Sequence, residues 1–247
     1  MTNFPPQLIE TMRNAEHIVV LTGAGISAES GVPTFRDAQT GLWARYDPQE
    51  LATPEAFARD PKLVWEWYTW RRELVAEAKP NPGHYALVEM AEKASHFTLI
   101  TQNIDNLHRT AGSDPVIELH GNLARIKGAE SGRVYPEQEW KAFSGTPPQE
   151  PSSGEYMRPD VVWFGEMLPE DKIIPAIEAS MACDVYFSIG TSSVVHPAAS
   201  LVVNAIRNRA TVIEINPNET PVTAYATYAI AAPSGEVLPD LVTAVWG

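Results

Sequence analysis

Short apolar runs alternate along the chain with longer stretches of helical periodicity. The runs are too short for helices and rich in β-branched residues, which is typical of the buried strands of a parallel sheet. They predict strands at 18–21, 97–101, 116–120, 185–189, 211–215 and 228–231. Helices are predicted at 6–16, 61–78, 84–94, 169–181, 198–208 and 237–245, with a further capped helix start at Thr53. This alternation predicts an α/β fold with a doubly wound parallel sheet.

The first predicted strand is followed at once by the turn Gly23-Ala24-Gly25. A strand, a glycine turn and a helix start can hold a dinucleotide pyrophosphate, because glycines let the backbone approach and helix N–H groups face the negative charge. Ala28 replaces the third glycine of the usual fingerprint, and no clear acidic residue follows about 20 positions later. By itself the turn fits nucleotide binding and an ordinary strand–helix turn equally well.

Small or polar residues follow five of the predicted strands. The strand ends are Gly23-Ala-Gly, Gln102-Asn-Ile-Asp, His120-Gly, Gly190-Thr-Ser and Asn216-Pro-Asn. Ligands of such sheets bind beyond the carboxyl ends of the strands, which lie at one edge. This coincidence favours nucleotide binding.

The composition changes between residues 124 and 159, where glycine, proline, serine and charged residues dominate. The apolar side chains available for packing there are Val134, Tyr135, Trp140 and Phe143. We expect a small appendage outside the main sheet. An extended apolar pattern resumes at 161–166.

The charge of the chain limits its partners. Its 247 residues include 18 Lys and Arg against 31 Asp and Glu, a net charge of −13. An acidic surface argues against nucleic acids and anionic membranes as partners, and would suit a basic peptide. We expect no membrane span and no signal peptide. The one cysteine, Cys183, excludes an internal disulfide and fits a cytoplasmic protein.

Seven separated motifs resemble, in order, those of the sirtuins, a family of NAD-dependent protein-lysine deacylases. The motifs are Gly23-Ala-Gly-Ile-Ser, Gly31-Val-Pro-Thr-Phe-Arg36, Thr101-Gln-Asn-Ile-Asp105, Leu119-His-Gly-Asn122, Arg158-Pro-Asp-Val-Val-Trp-Phe-Gly-Glu166, Gly190-Thr-Ser192 and Asn216. The resemblance implies one catalytic domain. Its Rossmann-like lobe would comprise about 1–37, 95–123 and 160–247, and an inserted small lobe about 38–94 and 124–159.

The resemblance implies that NAD binds as a co-substrate. The turn Gly23–Gly25 would hold the pyrophosphate, and Phe35 and Arg36 would belong to a mobile cofactor loop. The remaining implied cofactor residues are Ser27, Gln102, Asn103, Ile104, Asp105, His120, Gly190, Thr191, Ser192, Asn216, Pro217, Asn218 and Ser234. Of these, Gln102, Asn103 and Asp105 would surround the nicotinamide ribose and amide, although Asn103 and Asp105 also fit helix caps after a strand.

His120 is the expected general base, with Asn103 and Asp105 as the other catalytic residues. Its ordinary pKa lies near neutrality, so it can accept a proton from a ribose hydroxyl. In the implied reaction the acyl-lysine oxygen attacks the ribose carbon as nicotinamide leaves, and His120 then activates the neighbouring hydroxyl to attack the alkylimidate. The products are nicotinamide, O-acyl-ADP-ribose and free lysine. Most other histidines are expected to be structural or exposed.

Tyr68 and Arg71 lie three residues apart on a predicted helix, so they project from one face. An arginine fork and a tyrosine hydroxyl can together bind a carboxylate. The alternative is an amphipathic helix with aromatic core contacts and a solvated arginine. Within sirtuins the pair resembles the class that removes succinyl, malonyl and glutaryl groups, and the small Ala28 would enlarge the acyl pocket. We expect acidic acyl-lysines as substrates, with acetyl-lysine also accepted.

The stretch 161–164 resembles the segment that sirtuins pair with the backbone of the substrate peptide. The substrate residues implied are Val162, Trp163, Phe164 and Gly165. A plain core strand is the alternative.

The chain departs from the sirtuin pattern at the structural zinc. Sirtuins usually hold it with two Cys-x-x-Cys pairs, whereas the corresponding positions here are Gly128, Ser131, Glu150 and Ser153. One carboxylate cannot build a tetrahedral structural site, so we expect no metal.

Two other functions fit the same residues. An ADP-ribosyltransferase or NAD hydrolase would release nicotinamide without needing acyl-lysine. A binding module that senses NAD or acyl-lysine without turnover is disfavoured by the joint presence of Asn103, Asp105 and His120. The oligomeric state cannot be derived from the sequence.

Overall fold

The computed structural model describes residues 3–33 and 47–247. Its helices are α1 (Pro6–Asn14), α2 (Gly25–Ala28), α3 (Pro48–Leu51), α4 (Pro54–Arg59), α5 (Pro61–Glu77), α6 (Pro82–Lys93), α7 (Leu107–Ala111), α8 (Glu137–Trp140), α9 (Glu170–Ala182), α10 (Ser200–Arg207) and α11 (Ser234–Trp246). Its strands are β1 (Ile18–Thr22), β2 (Phe97–Thr101), β3 (Val116–Glu118), β4 (Gly121–Gly128), β5 (Val134–Tyr135), β6 (Ser144–Gly145), β7 (Pro148–Gln149), β8 (Met157–Val161), β9 (Val185–Ile189), β10 (Thr211–Ile215) and β11 (Tyr228–Ile230).

The main sheet has six strands in the order β11-β10-β9-β1-β2-β3, and every neighbouring pair is parallel. The chain winds from β1 through β2 to β3 on one side, and then from β9 to β11 on the other side of β1. Such a reversal opens the crevice in which ligands of α/β sheets bind. The predicted α/β fold with a Rossmann-like, doubly wound sheet is confirmed.

Alternate residues of β1 point into two cores on opposite faces of the sheet. Ile18 and Val20 pack in the core that α1, α6 and α11 cover, whereas Val19 and Leu21 pack in the core beneath α9 and α10. All five residues of the strand are buried. Burying one such aliphatic side chain contributes about 1.5–3 kcal/mol, which is why this run is apolar at every position.

A second, three-stranded sheet in the order β5-β4-β8 lies outside the main sheet and is antiparallel. The sequence did not predict β4, because it contains Arg125 and Lys127. Both cations are compensated by Asp160 of β8, at 2.8 Å and 3.3 Å. The expected extended stretch at 161–166 is wrong in its bounds, because the strand ends at Val161. Pro159 is tolerated in β8 because β8 is an edge strand.

Aromatic contacts connect this sheet to α5. Trp65, Tyr135, Ile126 and Met157 form a small core, and Trp140 and Phe143 pack against it. Val134 is exposed instead, so that part of the expectation is wrong. A larger core beside it contains Phe57, Trp67, Tyr68 and Trp163.

The predicted division into two lobes stays a prediction. The predicted small lobe includes α6, but the α6 residues Ala86, Leu87 and Met90 pack in the core shared with α11. Phe35 and Arg36 lie outside the described residues. Among residues 3–33 and 47–247, no helix combines the length and the apolar character needed to cross a membrane. The cytoplasmic location stays a prediction.

Candidate active site

The register of the main sheet brings its strand ends to one edge. Thr22 of β1 pairs with Thr101 of β2 and with Ile189 of β9. Ile189 pairs in turn with Ile215 of β10, and Thr101 with Glu118 of β3. The residues that follow these strands therefore emerge side by side: Gly23, Gln102, Leu119, Gly190 and Asn216.

The turn after β1 packs backbone to backbone against the turn after β9. The N–H groups of Gly23 and Gly25 donate to the carbonyls of Ile189 and Gly190, at 2.9 Å and 2.8 Å. A Cβ at Gly23 would lie 2.7 Å from the Thr191 Cα, and one at Gly25 would lie 2.6 Å from the Gly190 Cα. A side chain at either position would force the two turns apart. Gly190 itself has a φ of 58°.

Thr191 joins three of the strand ends through hydrogen bonds. Gln102 Nε2 donates to Thr191 Oγ1 at 2.9 Å, and Asn216 Nδ2 donates to the Thr191 carbonyl at 2.9 Å. The N–H of Asn218 donates to Asn216 Oδ1 at 3.2 Å. Ala24, Ser192 and Asn216 are half-buried, whereas Pro217 and Asn218 are exposed.

Asn103 and Asp105 are both buried in the segment after β2. Asn103 Nδ2 donates to Ser27 Oγ at 3.1 Å, so its side chain reaches α2 and does not cap a helix. Asp105 Oδ1 accepts the Leu107 N–H at 2.9 Å, at the start of α7, but the N-cap of that helix is Asn106. Burial raises the pKa of Asp105. Ile104, between them, is half-buried.

His120 is held by one ring nitrogen. Its Nδ1 lies 2.9 Å from the Gln102 carbonyl oxygen. A carbonyl only accepts, so Nδ1 carries the hydrogen and Nε2 of the neutral ring has a lone pair. Burial lowers the pKa of His120, although the hydrogen bond to Gln102 opposes this effect. The ring is therefore neutral at pH 7 and able to accept a proton through Nε2.

The other histidines have structural contacts. His84 Nδ1 accepts the Asn81 N–H in the capping box of α6, and His108 Nε2 lies 2.9 Å from Thr22 Oγ1. His17 and His96 stack at 3.9 Å between ring centres.

Ser234 lies at the start of α11 rather than on a strand end. Its hydroxyl donates to Glu29 Oε1 at 3.0 Å, and the Gly235 N–H donates to the same oxygen at 2.9 Å. Glu29 follows α2, so its carboxylate ties the first turn of α11 to the glycine turn. Nothing in the sequence pattern singled out Glu29, which acts through a contact 205 residues away.

Tyr68 and Arg71 lie on one face of α5. Tyr68 is buried, with its ring 4.6 Å from that of Trp67 and 6.4 Å from that of Trp163. The Arg71 guanidinium carbon lies 5.2 Å from the centre of the Trp67 ring. Burial raises the pKa of Tyr68 and lowers that of Arg71, while the charge of Arg71 works against the rise at Tyr68. Aromatic core packing is thus real for Tyr68, but Arg71 is not a solvated surface residue.

The segment after β8 begins beside the histidine. The Val162 N–H donates to the His120 carbonyl at 2.9 Å. Trp163 is buried, whereas Phe164 is 43% exposed and Gly165 has a φ of 88°. Ala28, at the end of α2, is exposed.

Arg158 and Glu166 bracket this segment, and the sequence assigned no role to either. The two groups form a bidentate ion pair with distances of 2.6 Å and 2.9 Å. The Arg158 guanidinium carbon lies 3.3 Å from the centre of the Trp163 ring, and Glu166 Oε2 accepts the Trp163 N–H at 2.8 Å. Together they fix the position of Trp163. Arg158 lies in β8 and Glu166 lies beyond the end of that strand, so only the three-dimensional structure reveals the pair.

The residues of the small sheet do not fit a structural zinc. A Cβ at Gly128 would lie 2.5 Å from both carboxylate oxygens of Glu155. That carboxylate accepts hydrogen bonds from the N–H groups of Glu130 and Ser131 and from the hydroxyls of Ser131 and Tyr135. The space beside the turn is thus occupied by a carboxylate whose oxygens are already paired.

The other two positions that the resemblance aligns with zinc ligands are Glu150 and Ser153, and they are hydrogen-bonded to each other. The Ser152 hydroxyl donates to the Glu150 carboxylate, as do the N–H groups of Ser152 and Ser153, and these hydrogen bonds lower the pKa of Glu150 to about 2. Cys183 is buried at the end of α9. Within residues 3–33 and 47–247, no three His, Cys, Asp or Glu side chains are grouped to hold a metal.

Known proteins resemble this chain over both the main sheet and the small sheet. The Sir2 family model matches residues 23–197. A protein of Aquifex aeolicus named NAD-dependent protein deacylase is 53% identical over 210 residues, 85% of this chain and 87% of that protein. A protein of the same name from Methylococcus capsulatus is 46% identical over 248 residues, 98% of this chain and 97% of that protein. The crystal structure of a Sir2 homologue in complex with NAD matches with a TM-score of 0.91 and 44% identity, and covers 99% of this chain and 94% of that one.

Proposed function

The chain belongs to the Sir2 family, and we propose that it is an NAD-dependent protein deacylase that removes succinyl and malonyl groups, and also acetyl groups, from lysine side chains. The observation that carries the proposal is the setting of His120, a neutral base beside the converging strand ends. Its Nδ1 is fixed by Gln102, whose own side chain contacts Thr191.

The strand ends supply the groups that NAD requires. The glycine turn would hold the pyrophosphate, and Asn216, whose side chain donates to the Thr191 carbonyl, would bind the adenosine ribose. Asn103 and Asp105 would contact the nicotinamide ribose and amide. NAD supplies the activated ribose carbon from which nicotinamide leaves as the acyl-lysine oxygen attacks.

His120 then acts as the general base. Because Nδ1 donates to a carbonyl, only Nε2 can accept the proton of a ribose hydroxyl, and the lowered pKa keeps that nitrogen unprotonated at neutral pH. The deprotonated hydroxyl attacks the imidate carbon, and addition of one water molecule lets the lysine amine leave, so that the acyl group ends as an ester of ADP-ribose.

The preference for acidic acyl groups rests on Tyr68 and Arg71. Both lie in a wall of aromatic rings, where a charge is screened less than in water. The carboxylate of a succinyl or malonyl group would meet the guanidinium fork and the phenol hydroxyl there. An acetyl group lacks the carboxylate, so it would be accepted without this ion pair.

The segment Val162 to Gly165 would bind the backbone of the substrate peptide, because Val162 contacts His120 directly and Phe164 is exposed. The net charge of −13 favours lysine-rich peptides. Acylated lysines of proteins or peptides are therefore the proposed partners.

The proposal is tested with matched acetyl-, malonyl- and succinyl-lysine peptides of one sequence, incubated with the enzyme and NAD. Nicotinamide and peptide mass are followed together. We expect nicotinamide release that depends on the acylated peptide, with the largest kcat/KM for the acidic groups. Nicotinamide release without a peptide would favour the NAD hydrolase alternative, and NAD-independent deacylation would refute the proposal.

A further inference from the structure

A buried polar network includes the residues two positions before and two positions after His120, Glu118 and Asn122, and is not used by the reaction proposed above. Its centre is Glu118, the last residue of β3, which is only 6% exposed. Its carboxylate accepts hydrogen bonds from Arg109 Nε at 3.0 Å, Arg125 Nη1 at 2.7 Å and Asn122 Nδ2 at 2.6 Å. Burial disfavours the charge, but these donors outweigh that effect and hold the pKa of Glu118 below its ordinary value. Glu118 is therefore a fixed anion.

Asn122 is held at every polar atom of its side chain. Its Nδ2 donates to Glu118 and also to Asn106 Oδ1 at 2.8 Å, and its Oδ1 accepts the Ala124 N–H at 2.9 Å. The residue is 1% exposed. An amide with both donors used has one orientation, so Asn122 is a rigid connection between Glu118 and Asn106.

Asn106 belongs to the segment that carries the other catalytic residues. It follows Asp105 directly, starts α7 and has a φ of 65°, a left-handed conformation that asparagine tolerates better than most residues. The network therefore joins the Asp105 segment to the His120 segment through side chains.

The backbone on the His120 side needs such a connection. Gly121 follows His120 with a φ of 81°, and its Cβ position is blocked by the Asp160 carbonyl. A glycine here is obligatory but contributes no conformational restraint of its own. The backbone bonds from Leu119 to Thr101 and from Leu123 to Ile104 hold the two ends of the turn, at 3.0 Å and 2.8 Å. In its middle, the His120 carbonyl accepts the Val162 N–H at 2.9 Å, and the side chains of Glu118 and Asn122 add a second restraint through their contacts with one another and with Asn106.

We propose that Glu118, Asn122 and Asn106 are positioning residues that hold His120 in register with the Asn103–Asp105 segment. This inference rests on the proposed function, because it concerns the geometry between the base and the groups around the nicotinamide ribose. Asn103 is anchored separately on Ser27, and Gln102 on Thr191. Loss of the connection should therefore disturb the base and leave the NAD-binding groups in place.

The decisive variant is Asn106→Gly. Glycine keeps the left-handed backbone without strain, so only the hydrogen bond to Asn122 is lost. Arg209→Gly is the matched control, because Arg209 is an exposed residue with a φ of 64° beyond α10. Asn122→Ala removes the same hydrogen bond from its other end and provides a second, independent variant.

Three quantities are measured with acyl-lysine peptide and NAD: kcat, KM for NAD, and the exchange of labelled nicotinamide into NAD. Exchange reports the reversal of the step in which nicotinamide leaves, and that step does not need His120 as a base. Release of free lysine does need the base. We expect Asn106→Gly to lower kcat about 10- to 100-fold, the cost of misplacing a catalytic group by roughly 1 Å. KM for NAD and the exchange rate should stay within about threefold, and Arg209→Gly should match the wild type.

The outcomes separate the two proposals. If the wild type shows no peptide-dependent nicotinamide release, the proposed function and the positioning role fall together. If the wild type is active and both Asn106→Gly and Asn122→Ala keep their kcat, the positioning role alone is wrong. A proportional loss of deacylation, exchange and thermal stability would also contradict it, because general loosening would explain that result.

Discussion

Replacing Arg71 by methionine should remove the preference for acidic acyl groups. Methionine keeps much of the length and apolar contact of the arginine stem while removing the charge. The guanidinium lies beside Tyr68 and over Trp67 in a largely buried wall, whereas the nearby Arg158 is paired with Glu166. Acetyl-lysine has no carboxylate and therefore loses only packing.

The size of the effect follows from the setting of Arg71. Two unit charges about 4 Å apart at an effective dielectric constant of about 20 attract by about 4 kcal/mol. Desolvation of the substrate carboxylate reduces the net gain, so we expect a loss of about 2 to 4 kcal/mol for succinyl-lysine. This corresponds to a decrease in kcat/KM of about 30- to 1,000-fold.

The assay compares kcat/KM for succinyl- and acetyl-peptides of identical sequence in Arg71→Met and in Arg72→Met. Arg72 is the adjacent residue of α5, but its guanidinium lies between the rings of Trp65 and Trp140, at 5.1 Å and 5.8 Å. The ratio of kcat/KM for the succinyl-peptide to kcat/KM for the acetyl-peptide should fall at least about 10-fold in Arg71→Met, because the attraction between the two charges is lost. The ratio should stay unchanged in Arg72→Met. Equal losses on both peptides in Arg71→Met would refute the assignment.

Three further predictions concern the base and the stability of the fold. His120→Tyr should abolish deacylation with an unchanged circular dichroism spectrum; full turnover would contradict the role of the base. Glu155→Ala should lower the free energy of unfolding by about 2 to 4 kcal/mol, because it leaves buried donors without an acceptor. Glu150→Ala, at an exposed turn, should lower it much less. Equal losses in the two variants would disprove a special role for Glu155. Burial lowers the pKa of His84 to about 4 and that of His108 to about 3. Because the unfolded chain takes up protons near pH 6.5 and the folded one does not, stability is full above about pH 6.5 and falls below it. Chemical denaturation should show the free energy of unfolding falling by about 2 kcal/mol per histidine between pH 6.5 and 5. A flat stability between these pH values would contradict that coupling.

The main sheet could be predicted because its strands are buried on both faces. The runs at β1 and β9 are apolar at every position, and no exposed face interrupts the signal. The strand-end residues could be predicted for the same reason, since parallel strands place their carboxyl ends at one edge. These two rules also predicted that Gly23, Gln102 and Gly190 would lie side by side.

The small sheet could not be predicted, because charges in one strand are balanced by charges in another. Arg125 looks incompatible with a strand until Asp160 is placed beside it. The contacts of Glu155 with Ser131, and of Arg158 with Glu166, likewise depend on chain segments that only folding brings together. Sequence patterns record the period of an element but not its long-range polar partners.

In the proposed reaction the acyl group is transferred from lysine to the ribose of NAD. Mass spectrometry of a single-turnover reaction with a succinyl-lysine peptide tests this transfer by quantifying nicotinamide, free lysine peptide and succinylated ADP-ribose. We expect equal amounts of all three products. Free succinate formed while NAD remains intact would rule the transfer out.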